Sequence, residues 1–272
     1  ELKIYDELNL HEVELTEKYQ IEGLLKVHKY DEIYNLAAQS FVATSFNSPL
    51  YTFDVNTISL LNILECIKNF SSSTKLYQAS TSEMFGKVQT TPQNESTPFY
   101  PRSPYGVSKL YGHWMTINYR ESYDMFACSG ILFNHESPLR GEHFVTRKIS
   151  MHVAKHSKGE KRPLKLGNLS AKRDWGFAGD FVLGMWLMLQ HDVPVDFVLA
   201  TGENHSVREF VELAFNQIGT SVTWEGKAEN EVGKDSSTGE VIVEVDSRFY
   251  RPAEVEVLLG DSSKARKILG WS

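Results

Sequence analysis

The feature that most constrains this chain is the alternation of strand-like and helix-like stretches through its first half. Short β-branched and aromatic runs at residues 8–10, 32–36, 75–80 and 126–133 read as strands. Between them lie residues 16–28, with Ile21, Leu24 and Leu25 on one face, residues 51–69, and a third helix starting near Ser103. Successive strands separated by helices cannot pair as hairpins. They must run parallel, with the helices covering the sheet. An α/β fold with a doubly wound parallel sheet is therefore expected. From residue 144 the rhythm shortens, with helices expected at 144–157, 178–190, 206–217 and 262–269 and strands near 164–166, 196–200 and 242–246. The Gly-, Ser- and Asp-rich residues 230–244 read as an exposed loop or hairpin, and the whole as a smaller α/β lobe.

Tyr105 and Lys109 lie four residues apart on the third helix, so their side chains share one face, one turn apart. A free tyrosine titrates near 10, and making it a base at neutral pH takes about three units, or ~4 kcal/mol, of preferential stabilisation of the phenolate. A nearby ammonium acts in that direction, so Lys109 is expected to lower the Tyr105 pKa. The product is a base able to take a proton from a sugar hydroxyl. Upstream, at the end of the 75–80 strand, Thr81 offers a hydroxyl to the same substrate oxygen. Glu83 adds a second acid/base that simple alcohol oxidation does not need. The Tyr-x-x-x-Lys spacing alone fits any amphipathic surface helix. Its combination with Ser-Thr-Ser-Glu at a strand end and an intervening proline-rich loop is far more specific.

Composition narrows the function classes. A chain of 272 residues with 41% hydrophobic content can bury a substantial core, and a net charge of −7 argues against a nucleic-acid partner. Apolar residues come in bursts too short to span a bilayer, and residue 1 opens no leader pattern, so a soluble, cytoplasmic protein with no membrane partner is expected. Cys66 and Cys128 have neither metal nor redox spacing and are expected as reduced, buried thiols; no metal site is expected.

The run YQASTSEMFGKVQTTPQNESTPFYPRSPYGVSKLY (77–111) resembles the GDP-mannose 4,6-dehydratase family of extended short-chain dehydrogenases/reductases. The likeness continues through GILFNHESPLRG (130–141), FVTRKIS (144–150), LGNLSAKRDWGFAGDFV (166–182), ATGENHSVREFVE (200–212) and YRPAEVEVLLGD (250–261). The resemblance implies a Rossmann-like NADP-binding domain over residues 1–143 and a mainly nucleotide-sugar-binding lobe over 144–272, some segments of which return to the sheet. It implies a hydro-lyase that converts GDP-mannose to GDP-4-keto-6-deoxymannose, toward GDP-fucose and other GDP-deoxyhexoses, in a dimer or tetramer.

By the same resemblance Thr81, Glu83, Tyr105 and Lys109 are catalytic. Glu14, standing where the family has Asp, and Leu15 would lie beside the cofactor adenine. Leu36, Ala37, Ala38, Gln39, Ser40, Tyr51, Lys109, His135 and Arg140 would meet the cofactor. Ser40, Asn134, Lys148, Arg173, Arg251 and Glu254 would meet the substrate. Residues 35–40 taken alone read as an ordinary strand-to-helix turn, and His143, His152 and His191 as surface or satisfied core. The apolar faces of 51–69, with Val55, Ile58, Leu61, Ile63 and Leu64, fit either an intramolecular core or a helix-to-helix contact between copies. The family's Gly-rich phosphate loop is expected before Glu1 and its last helical segment after Ser272. Two alternatives remain open. A nucleotide-sugar epimerase would share Tyr105 and Lys109, against which Glu83 points to elimination, and an inert scaffold subunit would lack the Gly-rich loop.

Overall fold

The computed structural model describes residues 4–250, 253, 255 and 257–272. At its centre β1 (Glu32–Asn35), β2 (Lys75–Ala79), β3 (Ala127–Leu132) and β8 (Phe197–Leu199) form a parallel sheet in the order β1-β2-β3-β8. Tyr34 pairs with Tyr77 and Tyr77 with Cys128. All six positions of β3 are buried, as expected of a parallel strand covered on both faces. The two faces are distinct because side chains alternate along each strand. Leu76 points into a layer with Ile21 and Leu25 of α1 (Lys18–Val27), Leu60, Ile63, Leu64 and Ile67 of α4 (Ser59–Phe70), and Tyr119 of α5 (Pro104–Tyr123). Tyr77 points into the opposite layer, with Phe181, Met185 and Met188 of α7 (Ala178–Gln190), Ala265 of α9 (Ser263–Leu269) and Trp271. Each such fully buried apolar side chain contributes ~1.5–3 kcal/mol, so these layers fix where the carboxyl ends of the strands lie.

A second sheet, β10 (Val222–Glu225), β11 (Val232–Asp235), β12 (Val241–Val245) and β5 (Leu164–Leu166), is antiparallel except where β12 meets β5. The expected exposed loop or hairpin at 230–244 is thus the β11–β12 hairpin. Helices α6 (Val145–His156) and α8 (Val207–Asn216) close its core through Ile149, Val153, Val211 and Phe215. Short strand pairs join this lobe to the rest. Strand β4 (Asn134–Glu136) pairs with β7 (Trp175–Phe177), and β6 (Lys172–Arg173) pairs with β9 (His205–Ser206).

Two expectations fail. Residues 8–10 form no strand: Leu8 and Leu10 are 52% and 57% exposed, and no described strand pairs there, so the extended form has no ladder to stabilise it. Residues 51–69 are not one regular helix. Helix α3 (Pro49–Phe53) passes through a π turn (Asp54–Ile58) into α4. The turn brings Asn56 inward, where its amide has partners on both sides; α2 (Val42–Asn47) precedes this run. Cys66 and Cys128 are free and fully buried, and burial pushes the Cys128 thiol up to about 12. No described helix is long and apolar enough to cross a membrane.

Candidate active site

The site grows from the carboxyl end of β2. Beyond Ala79 the chain turns through Thr81, whose hydroxyl oxygen accepts from the Glu83 backbone N–H at 3.2 Å and caps a 3₁₀ turn, Ser82–Met84. This local cap holds Thr81 and Glu83 side by side. The phase of α5 is set separately: Ser103 caps it by accepting from the Gly106 N–H at 3.0 Å, and Pro104 occupies the first turn, where its missing N–H costs nothing. Gly106 then lets the helix lie against the Glu83 turn, since a Cβ there would sit 2.9 Å from the Glu83 carbonyl oxygen. Tyr105 and Lys109, one turn apart, are delivered beside Thr81 and Glu83.

Electrostatics of this cluster differ from expectation. Burial pushes the Tyr105 phenol up to about 12; hydrogen bonding with the Thr81 hydroxyl acts the other way, and the nearby Glu83 carboxylate adds to the rise. Burial draws Lys109 down to about 8. Its Nζ donates to the Ala79 carbonyl at 3.0 Å and stands 6.0 Å from the centre of the Tyr105 ring. In the protein alone, therefore, Lys109 does not lower the Tyr105 pKa. The penalty for a charge removed from water outweighs any attraction at that separation.

A cleft of about 1130 Å³ opens in front of these four residues. It gathers Leu36, Ala38 and Ser40 from the end of β1, Asn134, His135 and Arg140 after β3, and Lys148 and Arg173 from the second lobe. The small residues Ala38, Ser40, Ala79 and Ser80 leave room for a flat ring along the strand ends. His135 stacks on Phe181 at 4.9 Å and bonds through Nδ1 to the Phe133 carbonyl, while burial lowers its pKa. The Arg140 guanidinium lies 3.6 Å over the Phe144 ring; its Nε is 3.3 Å from Glu136 yet misaligned for a hydrogen bond, and so is a buried donor without a hydrogen-bond partner among the described residues. A half-buried guanidinium with an unused donor fits an anionic or dipolar ligand group. Lys148 Nζ sits 3.5 Å over Phe249, and burial lowers its pKa too.

Five expected cofactor contacts do not line the cleft. Glu14 is exposed and accepts from the backbone and hydroxyl of Thr16. Leu15 packs on the α1–α4 layer. Ala37 is exposed beside the cleft, and Tyr51 is 60% exposed on α3. Gln39 is buried and serves the fold: its backbone N–H donates to Asn56 Oδ1 at 2.8 Å and its side chain to the Phe41 carbonyl at 3.1 Å. Arg251 and Glu254 lie outside the described residues. Among the histidines, His143 is exposed, as expected, and also lines the cleft, its ring 5.0 Å from Phe41. Sequence reasoning also missed Phe144, Trp175, Arg248 and Phe249 on the cleft wall. Phe144 and Trp175 lie within the FVTRKIS and LGNLSAKRDWGFAGDFV runs, and Arg248-Phe249 directly precede the YRPAEVEVLLGD run, so each stood at or beside a stretch that carried a signal. It missed Asn56 as well, whose Nδ2 donates to Ser108 Oγ at 2.9 Å and to the Gln39 carbonyl at 3.2 Å.

Comparison with known proteins agrees with this geometry. A protein from Pseudomonas aeruginosa, RMD, solved in complex with NADPH, superposes with a TM-score of 0.81 at 21% identity, covering 96% of this chain and 82% of its own, which establishes the Rossmann-like α/β fold. GDP-mannose 4,6 dehydratase of Cricetulus griseus is 56% identical over 97% of this chain and 72% of its own length. The Vibrio cholerae GDP-mannose 4,6-dehydratase is 51% identical over 97% and 74%. With the family model described as GDP-mannose 4,6 dehydratase matching residues 1–272, the chain belongs to the GDP-mannose 4,6-dehydratase family.

Proposed function

We propose that this chain is an NADP-dependent hydro-lyase that converts GDP-mannose to GDP-4-keto-6-deoxymannose and water. The observation that carries the reading is the convergence of Thr81, Glu83, Tyr105 and Lys109 on one cleft that also holds Arg140, Lys148 and Arg173. Leu36, Ala38, Ser40, Lys109, His135 and Arg140 would hold NADP along the strand ends, and when bound it would supply the acceptor for hydrogen from carbon 4 and the source of its return to carbon 6. Tyr105 takes the proton of the 4-hydroxyl while Thr81 holds that oxygen. Burial keeps this phenol neutral in the protein alone, with its pKa pushed up to about 12. Tyr105 therefore first gives up its own proton to water when cofactor and sugar bind, and as phenolate takes the 4-hydroxyl proton as the carbonyl forms. The new ketone acidifies carbon 5. Glu83 removes the carbon-5 proton and passes it to the 6-hydroxyl, which leaves as water. Tyr105 then delivers its proton to carbon 5, and both groups are reset.

On this reading residues 1–143 mainly serve the dinucleotide and 144–272 mainly the nucleotide-sugar. Asn134, Lys148 and Arg173 are among the substrate contacts, with Arg251 as a second guanidinium for the diphosphate and Glu254 for the ribose. Planar guanidinium groups suit phosphate oxygens. Exposed Leu50 and Phe53 on α3, together with Val107 and Trp114 on α5, form an apolar surface on which two copies would pair. The free buried thiols Cys66 and Cys128 support a reducing, cytoplasmic setting. The test is incubation of the purified protein with GDP-mannose and NADP⁺. Loss of one water from the sugar nucleotide is expected; an epimer of unchanged mass, or no reaction despite dinucleotide binding, would overturn the assignment.

A further inference from the structure

Two fully buried polar side chains, Gln93 and Asp174, have no part in the chemistry above, yet both grip the same stretch of chain near residue 260. Gln93 precedes the catalytic helix, in the loop after the Glu83 turn. Its backbone N–H donates to the Leu259 carbonyl at 2.8 Å, its Oε1 accepts from the Leu259 N–H at 3.0 Å, and its carbonyl accepts from the Asp261 N–H at 2.8 Å. Its Nε2 is spent on the Thr90 carbonyl at 2.9 Å. From the other side, Lys172 bridges Val257, and Arg173 Nη1 donates to the Val255 carbonyl at 2.8 Å.

Asp174, next to Arg173, accepts four hydrogen bonds. Oδ1 takes the Thr201 N–H at 2.9 Å and the Thr201 hydroxyl at 2.7 Å; Oδ2 takes the Gly202 N–H at 3.0 Å and the Gly260 N–H at 3.2 Å. A carboxylate is kept in a dry interior only when its oxygens are so satisfied, and bonds to a charged acceptor are the strong ones. Gly260 is fixed sterically as well, because a Cβ there would fall 2.2 Å from Ala200 Cβ and 2.9 Å from the Phe133 ring. The described residues between Val255 and Asp261 thus form a strap held at both edges. One edge is the loop leading to the catalytic helix. The other is the Arg173-Asp174 dipeptide, whose arginine lines the cleft while bonded to the strap.

We infer that Asp174 and Gln93 are positioning residues for the nucleoside diphosphate: by fixing the strap they fix the Arg173 guanidinium at the cleft wall. The inference rests on the proposed function, in which Arg173 meets the diphosphate. An arginine held by a backbone carbonyl in a strap that is itself held twice over reaches its ligand with little conformational freedom left to lose. None of the strap's bonds described above reaches residues 36–40, the strand end assigned to the dinucleotide, so binding on that side of the cleft is independent of them.

The experiment measures GDP and NADP⁺ affinities separately by calorimetry, with KM and kcat for GDP-mannose alongside, in D174N, Q93M and the milder pair T201V and T201S. D174N turns one acceptor into a donor facing backbone N–H groups. D174N and Q93M are expected to weaken GDP binding at least tenfold and raise KM similarly, with NADP⁺ affinity within twofold and kcat within about threefold of the parent. T201V, which removes one of the four donors without changing shape, is expected to lose about threefold in GDP affinity, and T201S to restore it. Should D174N not fold, the T201V and T201S pair decides. GDP affinity unchanged in folded variants, or GDP and NADP⁺ affinities falling together, would overturn the positioning role. Failure of the unaltered protein to bind GDP would instead overturn the functional reading on which it rests.

Discussion

Lys109 Nζ donates to the carbonyl of Ala79 at 3.0 Å, tying α5 to the last residue of β2. The contact holds the ammonium at the bottom of the cleft, only 4% exposed, and burial draws its pKa down to about 8. The sign follows directly. The folded pKa lies below the unfolded one, so between roughly pH 8 and 10.5 the unfolded chain binds more protons at this site, and the stability due to it rises with pH. Below about pH 8 the full penalty for burying the charge is present. K109M removes this penalty. The stability gap between K109M and the parent protein is therefore expected to shrink by about 2 kcal/mol from pH 7.5 to 9.5, as read by urea denaturation. A gap that does not change with pH would mean that Lys109 titrates as an exposed lysine.

Glu83 is half-buried beside Tyr105, and no simpler dehydrogenation needs it. E83Q keeps the shape and removes the acid/base. Turnover to the 4-keto-6-deoxy product is expected to fall by about 10²–10⁴-fold, with GDP-mannose affinity near that of the parent. Single-turnover absorbance should still show the cofactor reduced, since the base proposed for oxidation at carbon 4 is Tyr105. Near-normal release of water would remove Glu83 from the mechanism.

Asn56 joins the loop after β1 to α5 through Gln39 and Ser108. N56L leaves the Gln39 N–H without its partner in a buried site, a loss of roughly 1–3 kcal/mol. Since Ala38 and Ser40 flank Gln39 on the cleft wall, NADP⁺ affinity is expected to drop several-fold more than GDP affinity. Equilibrium titration of the two ligands checks it; equal losses would point to general loosening of the fold.

The Tyr77 hydroxyl is fully buried and without a hydrogen-bond partner among the described residues, packed into the space left by Gly130, where a Cβ would lie 2.2 Å away. Removing an unsatisfied buried hydroxyl relieves a desolvation penalty. Y77F is expected to raise stability by about 1 kcal/mol, seen as a higher midpoint in thermal unfolding, whereas G130A should lower it by forcing the two groups apart.

What the residues determined by themselves was local or periodic. The strand–helix alternation dictated the parallel sheet, because each element's apolar period states how many of its faces are buried. The Ser103-Pro104 start and the four-residue spacing put Tyr105 and Lys109 on one face of α5, and Thr81 could be placed with Glu83 because one 3₁₀ turn joins them. The tertiary structure decided everything that depends on what lies across a gap in sequence. Residues 8–10 have strand composition but no partner, and Asn56 gains its meaning only when a π turn aims it at Gln39 and Ser108. Gln93 and Asp174 look like ordinary loop polar residues until the strap passes between them. Charge state belongs to the same class. Spacing put Tyr105 and Lys109 one turn apart, but the direction of their pKa shifts is set by how much water the fold leaves around them, and no pattern along the chain records that.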